Sequence, residues 1–171
     1  MTGFVLVGGW PAAGKTTLAR ALASELQVAY LAKDEIKEAL MDVLGAPTTV
    51  EESQQLGRAA VAATLRAARG CRAAVIDSTW FSTSLALVRA LPGPFVEVRC
   101  RAPLDVVRRR YRERVRDARH LDDLRSEEEL WGQDVAPLGI GPLVEVDTSG
   151  PVDLALLADE VRSLLRRPAG D

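Results

Sequence analysis

Short apolar runs alternate along the chain with segments whose apolar residues recur every three or four positions. Phe4 to Val7 is a continuous apolar run, the pattern of a strand covered on both faces. Thr16 to Leu26 then places Leu18, Ala19, Leu22, Ala23 and Leu26 at helical spacing. Val28 to Leu31 reads as a second strand, Asp34 to Leu44 as a helix, and Thr48 to Arg69 as one long helix carrying Leu56, Ala59, Ala60, Ala63 and Ala67. Glu51 and Glu52 at its start suit the positive end of the helix dipole. Ala73 to Ile76 and Phe95 to Val98 are further strands, separated by a helix over Ser82 to Leu91. Pro103 to about Arg116 and Ser126 to Trp131 are helical, Leu143 to Val146 is the fifth strand, and Val152 to Arg167 closes the chain as a helix. Strands alternating with helices predict one α/β domain over residues 1–171, a five-stranded parallel sheet with helices on both faces.

Composition changes this picture little. Hydrophobic residues make up 47% and charged residues 27% of 171, ordinary globular usage. A net charge of −2 supplies no overall pull towards nucleic acid or an anionic membrane. The start carries neither a basic leader nor a long apolar stretch, so a cytoplasmic protein is expected. Cys71 and Cys100 have no metal-ligand spacing and read as two buried thiols. Arginine outnumbers lysine 19 to 3, which singles out Lys15, Lys33 and Lys37.

The strongest chemical signal is Gly9-Trp10-Pro11-Ala12-Ala13-Gly14-Lys15-Thr16, which fits G-x-x-x-x-G-K-[ST] between a strand and a helix. Such a loop wraps its amides, here those from Gly9, Ala12, Ala13 and Gly14 to Thr17, around phosphate oxygens at a helix N-terminus. Lys15 would lie between the β- and γ-phosphates and the Thr16 hydroxyl on Mg²⁺. The pattern predicts a nucleoside triphosphate, ATP or GTP, and a metal.

Asp34 follows the second strand, where residues of a parallel sheet face the ligand crevice. An alcohol acceptor needs a carboxylate to orient it and take its proton, whereas a phosphate acceptor calls for several arginines. None falls between Leu26 and Gln55, which favours a hydroxyl. The alternative for Asp34 is a helix N-cap. Lys37, one turn on, is either a substrate contact or a solvated helix lysine. Ala74-Val75-Ile76-Asp77-Ser78-Thr79 is an apolar strand ending in a carboxylate. Asp77 there is a candidate metal or substrate ligand, with Thr79 and Trp80 beside the acceptor.

This order of motifs resembles the small P-loop phosphotransferases, a group that includes chloramphenicol phosphotransferase, shikimate and gluconate kinases, zeta toxins and polynucleotide kinases. The resemblance implies the P-loop NTPase fold of nucleoside and shikimate kinase type, and a catalytic-base role for Asp34. Nine arginines fall between Arg99 and Arg119, and Pro103-Leu104-Asp105 followed by Arg110 and Arg114 resembles that group's lid-bearing helix. By this likeness Arg110 and Arg114 close over the triphosphate, with a short helical lid near residues 112–126. The expectation is γ-phosphate transfer to a hydroxyl of a small molecule, such as an antibiotic or a nucleoside-like metabolite. A polynucleotide 5′-hydroxyl kinase and a nucleotide-dependent regulatory NTPase are the alternatives; residues 33 to 60 supply only Lys33, Lys37 and Arg58 for a nucleic-acid groove. His120, in a polar loop, reads as solvated, and Tyr111 and Trp131 as lid-side residues.

Overall fold

All five strands run parallel, and the one that leads into the glycine-rich loop lies at the centre. The computed structural model describes residues 1–114, 117–132 and 135–166. The strands are β1 (Gly3–Gly8), β2 (Ala29–Ala32), β3 (Ala73–Asp77), β4 (Phe95–Arg101) and β5 (Leu143–Asp147), in the order β2-β3-β1-β4-β5. Every residue of β1 is buried, as its unbroken apolar run requires. Its side chains alternate between two cores. Val5 and Val7 join Leu18, Leu22, Val96, Val98, Leu157 and Val161 on one face. Phe4 and Leu6 join Leu65, Ile76, Trp80 and Val88 on the other.

Helices α1 (Lys15–Leu26) and α7 (Leu154–Arg166) cover the first face, while α3 (Val50–Ala68) and α4 (Leu85–Arg89) cover the second. The remaining helices are α2 (Lys33–Leu44), α5 (Leu104–Glu113) and α6 (Glu127–Trp131). Leu18, Ala19, Leu22, Ala23 and Leu26 are the buried face of α1, as their spacing indicates. Among the described residues, no helix is long and apolar enough to cross a membrane.

Several expectations are corrected. In α3 the buried positions are Ser53, Ala60, Thr64, Leu65 and Ala68, whereas Ala59, Ala63 and Ala67 are exposed. Alanine on every face blurs the helical stripe, and two hydroxyls turn inward because each finds a partner: Thr64 Oγ1 donates to the Ala60 carbonyl at 2.7 Å, and Ser53 Oγ accepts from Lys37 at 2.6 Å. The segment from Ser82 to Leu91 begins as a 3₁₀ turn, Ser82–Ser84, and only Leu85–Arg89 is α-helical. Serine and threonine are weak helix formers, and Pro92 removes the donor that a longer helix would need. Helix α5 ends at Glu113, with Arg114 extended at φ −71 and ψ 135. The expected continuation to Arg116, like that of α7 to Arg167, lies outside the described residues. Cys100 is buried, but Cys71 is only half-buried.

Candidate active site

The loop after β1 turns on three left-handed residues. Gly9 has φ 133, Ala12 φ 61 and Gly14 φ 86. A Cβ on Gly9 would lie 2.6 Å from the Cys100 carbonyl oxygen, so β4 leaves no room for a side chain. Ala12 holds the left-handed conformation despite its Cβ, a strained arrangement of the kind that clusters at ligand clamps. Thr148, buried after β5, braces the loop from outside: its Oγ1 lies 2.6 Å from the Ala13 carbonyl oxygen and 2.9 Å from that of Arg101.

Lys15, half-buried, donates from Nζ to the Trp10 carbonyl at 2.7 Å. Burial pushes its pKa below the ordinary lysine value, against the opposing charges of Asp77, Cys100 and Asp34. The parallel register pairs Val7 of β1 with Asp77 of β3, which brings the end of β3 beside the loop. There Thr16 Oγ1 donates to Asp77 Oδ2 at 2.6 Å, and the Tyr30 hydroxyl stands 3.5 Å from the same oxygen. Burial raises the Asp77 pKa, and the Thr16 bond and Lys15 hold it back. Tyr30 is pushed up to about 12, first by burial and then by the Asp77 charge.

Asp34 lies inside the first turn of α2, whose N-cap is Ala32 with no side-chain cap bond. The capping alternative therefore falls. Its Oδ1 receives Lys33 Nζ at 2.8 Å, and its charge acts on both Lys15 and Asp77. On the opposite wall Arg110 donates to the Ser149 carbonyl at 3.2 Å and stands near Gly14. Arg114 reaches Asp122 Oδ2 at 2.5 Å and lies 4.1 Å from the centre of the Tyr111 ring. Trp131 packs edge-on against that ring, and Arg108 lies over Trp131. Arg114 is the C-cap of α5, its amide donating to the Arg110 carbonyl at 3.0 Å, so it follows Arg110 by one helical turn as its spacing suggested. Both face the same space.

That space is a cleft of about 1430 Å³ at the C-terminal ends of the strands, lined among others by Thr17, Asp34, Lys37, Asp77, Thr79 and both arginines. Pockets for one small molecule run to roughly 300–1,000 Å³, so this cleft is larger than one such ligand fills. Two assignments change. Lys37 is not solvated: it is 1% exposed and donates to Ser53, with its stem against the cleft wall. Trp80 makes no wall of the cleft; it is buried against Gly8 and donates Nε1 to the Val7 carbonyl at 3.0 Å. Its indole is core, and the neighbouring Phe81, 55% exposed, lines the cleft as Tyr111 does.

Sequence reasoning missed three parts of the site. His120 is not solvated but 2% exposed, with Nε2 2.8 Å from Glu38 Oε1. Arg125 lines the cleft from the segment after α5. Thr148, which no motif marks, is the brace described above. The partners of His120 and Thr148 lie 47 to 135 positions away in the chain, so no local pattern marks them.

A nucleotide-binding loop, a strand-end carboxylate and a following arginine pair thus stand in one cleft, in the order their motifs occur. The profile of the AAA domain family matches residues 4–131. The chain belongs to that family. This AAA-family domain is also similar to solved structures. With a candidate kinase from Chloroflexus aurantiacus j-10-fl it shares 30% identity, covering 96% of this chain and 99% of that one at a TM-score of 0.85. A gluconokinase from Sinorhizobium meliloti 1021 shares its fold at 20% identity, 95% and 91% coverage and a TM-score of 0.60. Chaetomium thermophilum Kti12, in complex with ADP-AlF3, does so at 18% identity, 96% and 100% coverage and a TM-score of 0.63. No curated protein matches the sequence. The chain has the α/β P-loop NTPase fold and is kinase-like in that it shares this fold with the Chloroflexus candidate kinase.

Proposed function

We propose that this P-loop NTPase transfers the γ-phosphate of ATP or GTP to a hydroxyl of a small molecule, with antibiotic-like and nucleoside-like acceptors as first candidates. The observation that supports this most is the position of Asp34. Its carboxylate faces the cleft that Lys15 and Thr16 also face, near enough for its charge to act on Lys15 and Asp77. Lys33 orients it through a 2.8 Å ion pair.

In this reading the loop amides and Lys15 hold the phosphates, and Arg110 and Arg114 neutralise the charge that spreads over the transferring group. Asp34 accepts the acceptor's proton as its oxygen approaches the terminal phosphorus. Thr16 and Asp77 present a hydroxyl and a carboxylate oxygen 2.6 Å apart, a hard donor set suited to Mg²⁺. When bound with the nucleotide, Mg²⁺ supplies charge neutralisation at the β- and γ-phosphates. The whole chain acts as one domain, with residues 112–126 as a short lid.

The test is incubation with γ-labelled ATP or GTP and a panel of hydroxylated metabolites and antibiotics. Label should move to a small hydroxylated acceptor. Transfer to an oligonucleotide alone, or hydrolysis indifferent to every acceptor, would overturn the reading.

A further inference from the structure

Helix α2 carries three carboxylates four residues apart, Asp34, Glu38 and Asp42, which therefore lie in one stripe. Like charges at that spacing repel, so the stripe needs cations to hold its face in place. Lys33 serves Asp34 at 2.8 Å. The other two are met from a distant part of the chain. His120 Nε2 lies 2.8 Å from Glu38 Oε1, and Arg119 Nη1 donates to Asp42 Oδ1 at 2.7 Å. Since a carboxylate only accepts, Nε2 carries the hydrogen.

The segment that delivers these groups is bonded within itself as well as to α2. Arg119 also grips Asp117 through Nε and Nη2, at 2.8 and 2.6 Å from Oδ2. The chain makes two successive 3₁₀ turns, Ala118–His120 and Asp122–Leu124, hinged at Leu121 with φ 56. The His120 ring is buried, and its carbonyl faces Ser53 Oγ of α3 at 3.5 Å, the same hydroxyl that receives Lys37. Two residues later Asp122 holds Arg114 at 2.5 Å.

We infer that residues 117–122 form a positioning strap that ties the acceptor-side helix α2 to Arg114, with His120 as its buried anchor. His120 and Arg119 touch successive turns of the stripe that begins with Asp34, so they set the rotation of α2 about its axis and with it the direction of that carboxylate. Through Asp122 the same strap sets Arg114. The proton acceptor and the phosphate-side arginine thus share one frame. This consequence for catalysis rests on the proposed phosphate transfer; the strap itself does not.

Hydrogen exchange by mass spectrometry on the full chain tests it, comparing wild type with Glu38→Gln, His120→Leu and His120→Gln. Glutamine keeps a nitrogen donor for Glu38, and leucine keeps bulk without one. In Glu38→Gln and His120→Leu, exchange should rise about tenfold both in residues 118–125 and in the first turn of α2 around Asp34. His120→Gln should stay within about twofold of wild type, and all three should bind a fluorescent ATP analogue as wild type does. Faster exchange confined to residues 118–125, with α2 unchanged, would overturn the strap. So would the same loosening in His120→Gln as in His120→Leu. With any acceptor found by the panel, His120→Leu should lower kcat/KM for that acceptor about tenfold at unchanged nucleotide KM, and His120→Gln should restore it; unchanged kcat/KM in His120→Leu would overturn the positioning role. If Asp34→Asn transferred phosphate at the wild-type rate while α2 loosened as expected, the transfer reading would fail and the strap would stand.

Discussion

Thr148 offers the sharpest test of how the nucleotide loop is held. Its side chain is 8% exposed and its hydroxyl stands 2.6 Å from the Ala13 carbonyl oxygen and 2.9 Å from that of Arg101. One hydroxyl proton serves one acceptor at a time. The Arg101 carbonyl already receives the Thr148 amide at 2.7 Å, so Ala13 is the acceptor that depends on the side chain. Thr148→Val replaces the hydroxyl by a methyl of similar volume and leaves a buried carbonyl unpartnered, at a cost of about 1–3 kcal/mol. For a chain of this size each kcal/mol lowers Tm by roughly 2–4 °C, so a fall of about 4–8 °C is expected at the middle of that range. Ala13 stands between left-handed Ala12 and Gly14, and loss of its tether frees the turn that points amides at phosphate. If about 1.4 kcal/mol of the loss appears in the loop, nucleotide affinity falls about tenfold. Thr148→Ser keeps the hydroxyl and sheds one methyl, about 0.8 kcal/mol, with affinity retained. Thermal unfolding and titration with a fluorescent ATP analogue read both quantities. A valine variant that matches the serine variant in Tm and in affinity would show that the hydroxyl does not tether the loop.

Lys15→Ala should abolish nucleotide-dependent transfer, and normal turnover would remove the loop from the mechanism. Asp34→Asn should lower turnover by ~10²-fold or more while nucleotide binding persists, checked by steady-state rates beside equilibrium titration. Gly9→Ala would drive a Cβ to 2.6 Å from the Cys100 carbonyl and hold φ at a value alanine resists; it should lower Tm and nucleotide affinity together. Hydrogen bonds from the Arg119 side chain hold Asp117 down to about 2, from 3.8. A lowered carboxylate favours the fold above its unfolded pKa and loses that contribution as pH falls through the folded one. The Arg119 amide, which donates to Asp117 at 2.9 Å, should therefore shift by NMR as pH falls from 4 towards 2, and Asp117→Asn should show no such step.

The layout of strands and of the loop was legible because both are written locally. The four apolar residues from Phe4 to Val7 state that β1 is covered twice, and the glycine spacing states the turn that follows. Asp34 and Asp77 were legible for a related reason: a parallel sheet brings the residues after its strands to one end whatever the details. The buried face was illegible where composition was ambiguous, as in α3, where alanines surround the helix and Ser53 and Thr64 are among the residues turned inward. The polar and charged residues that fasten elements together were not legible at all. Lys37 could be read as a substrate contact or as solvated because its partner is a serine sixteen positions away on another helix, and Trp80 could be placed beside the acceptor because its hydrogen-bond partner is a β1 carbonyl 73 positions earlier. His120 lay in a run of charges that, read linearly, belongs to solvent. Only the fold reveals that Glu38 is waiting 82 positions earlier.

The strand order explains why those long-range fastenings gather where they do. With β1 central, β4 and β5 and the turn to α7 lie on one side of the loop, and β3 and β2 with the helices that follow them lie on the other. The first side meets the loop through Thr148, Ser149 and Arg110, all bonded to backbone that surrounds the phosphate cradle. The second contributes Asp34, Asp77 and the walls from α2 and α3. No strand pairing joins β2 to β4 or β5, so the sheet alone cannot fix the distance between Asp34 and Arg114. Arg114 lies beyond the end of α5, and Asp34 lies in the first turn of a helix on the far edge strand. Something must cross the open end of the cleft to relate them, and, among the described residues, the segment 117–122 touches both α2, at Glu38 and Asp42, and Arg114. A site built this way assembles only when both halves are in register, and the strap's contacts fall on the stripe that carries Asp34.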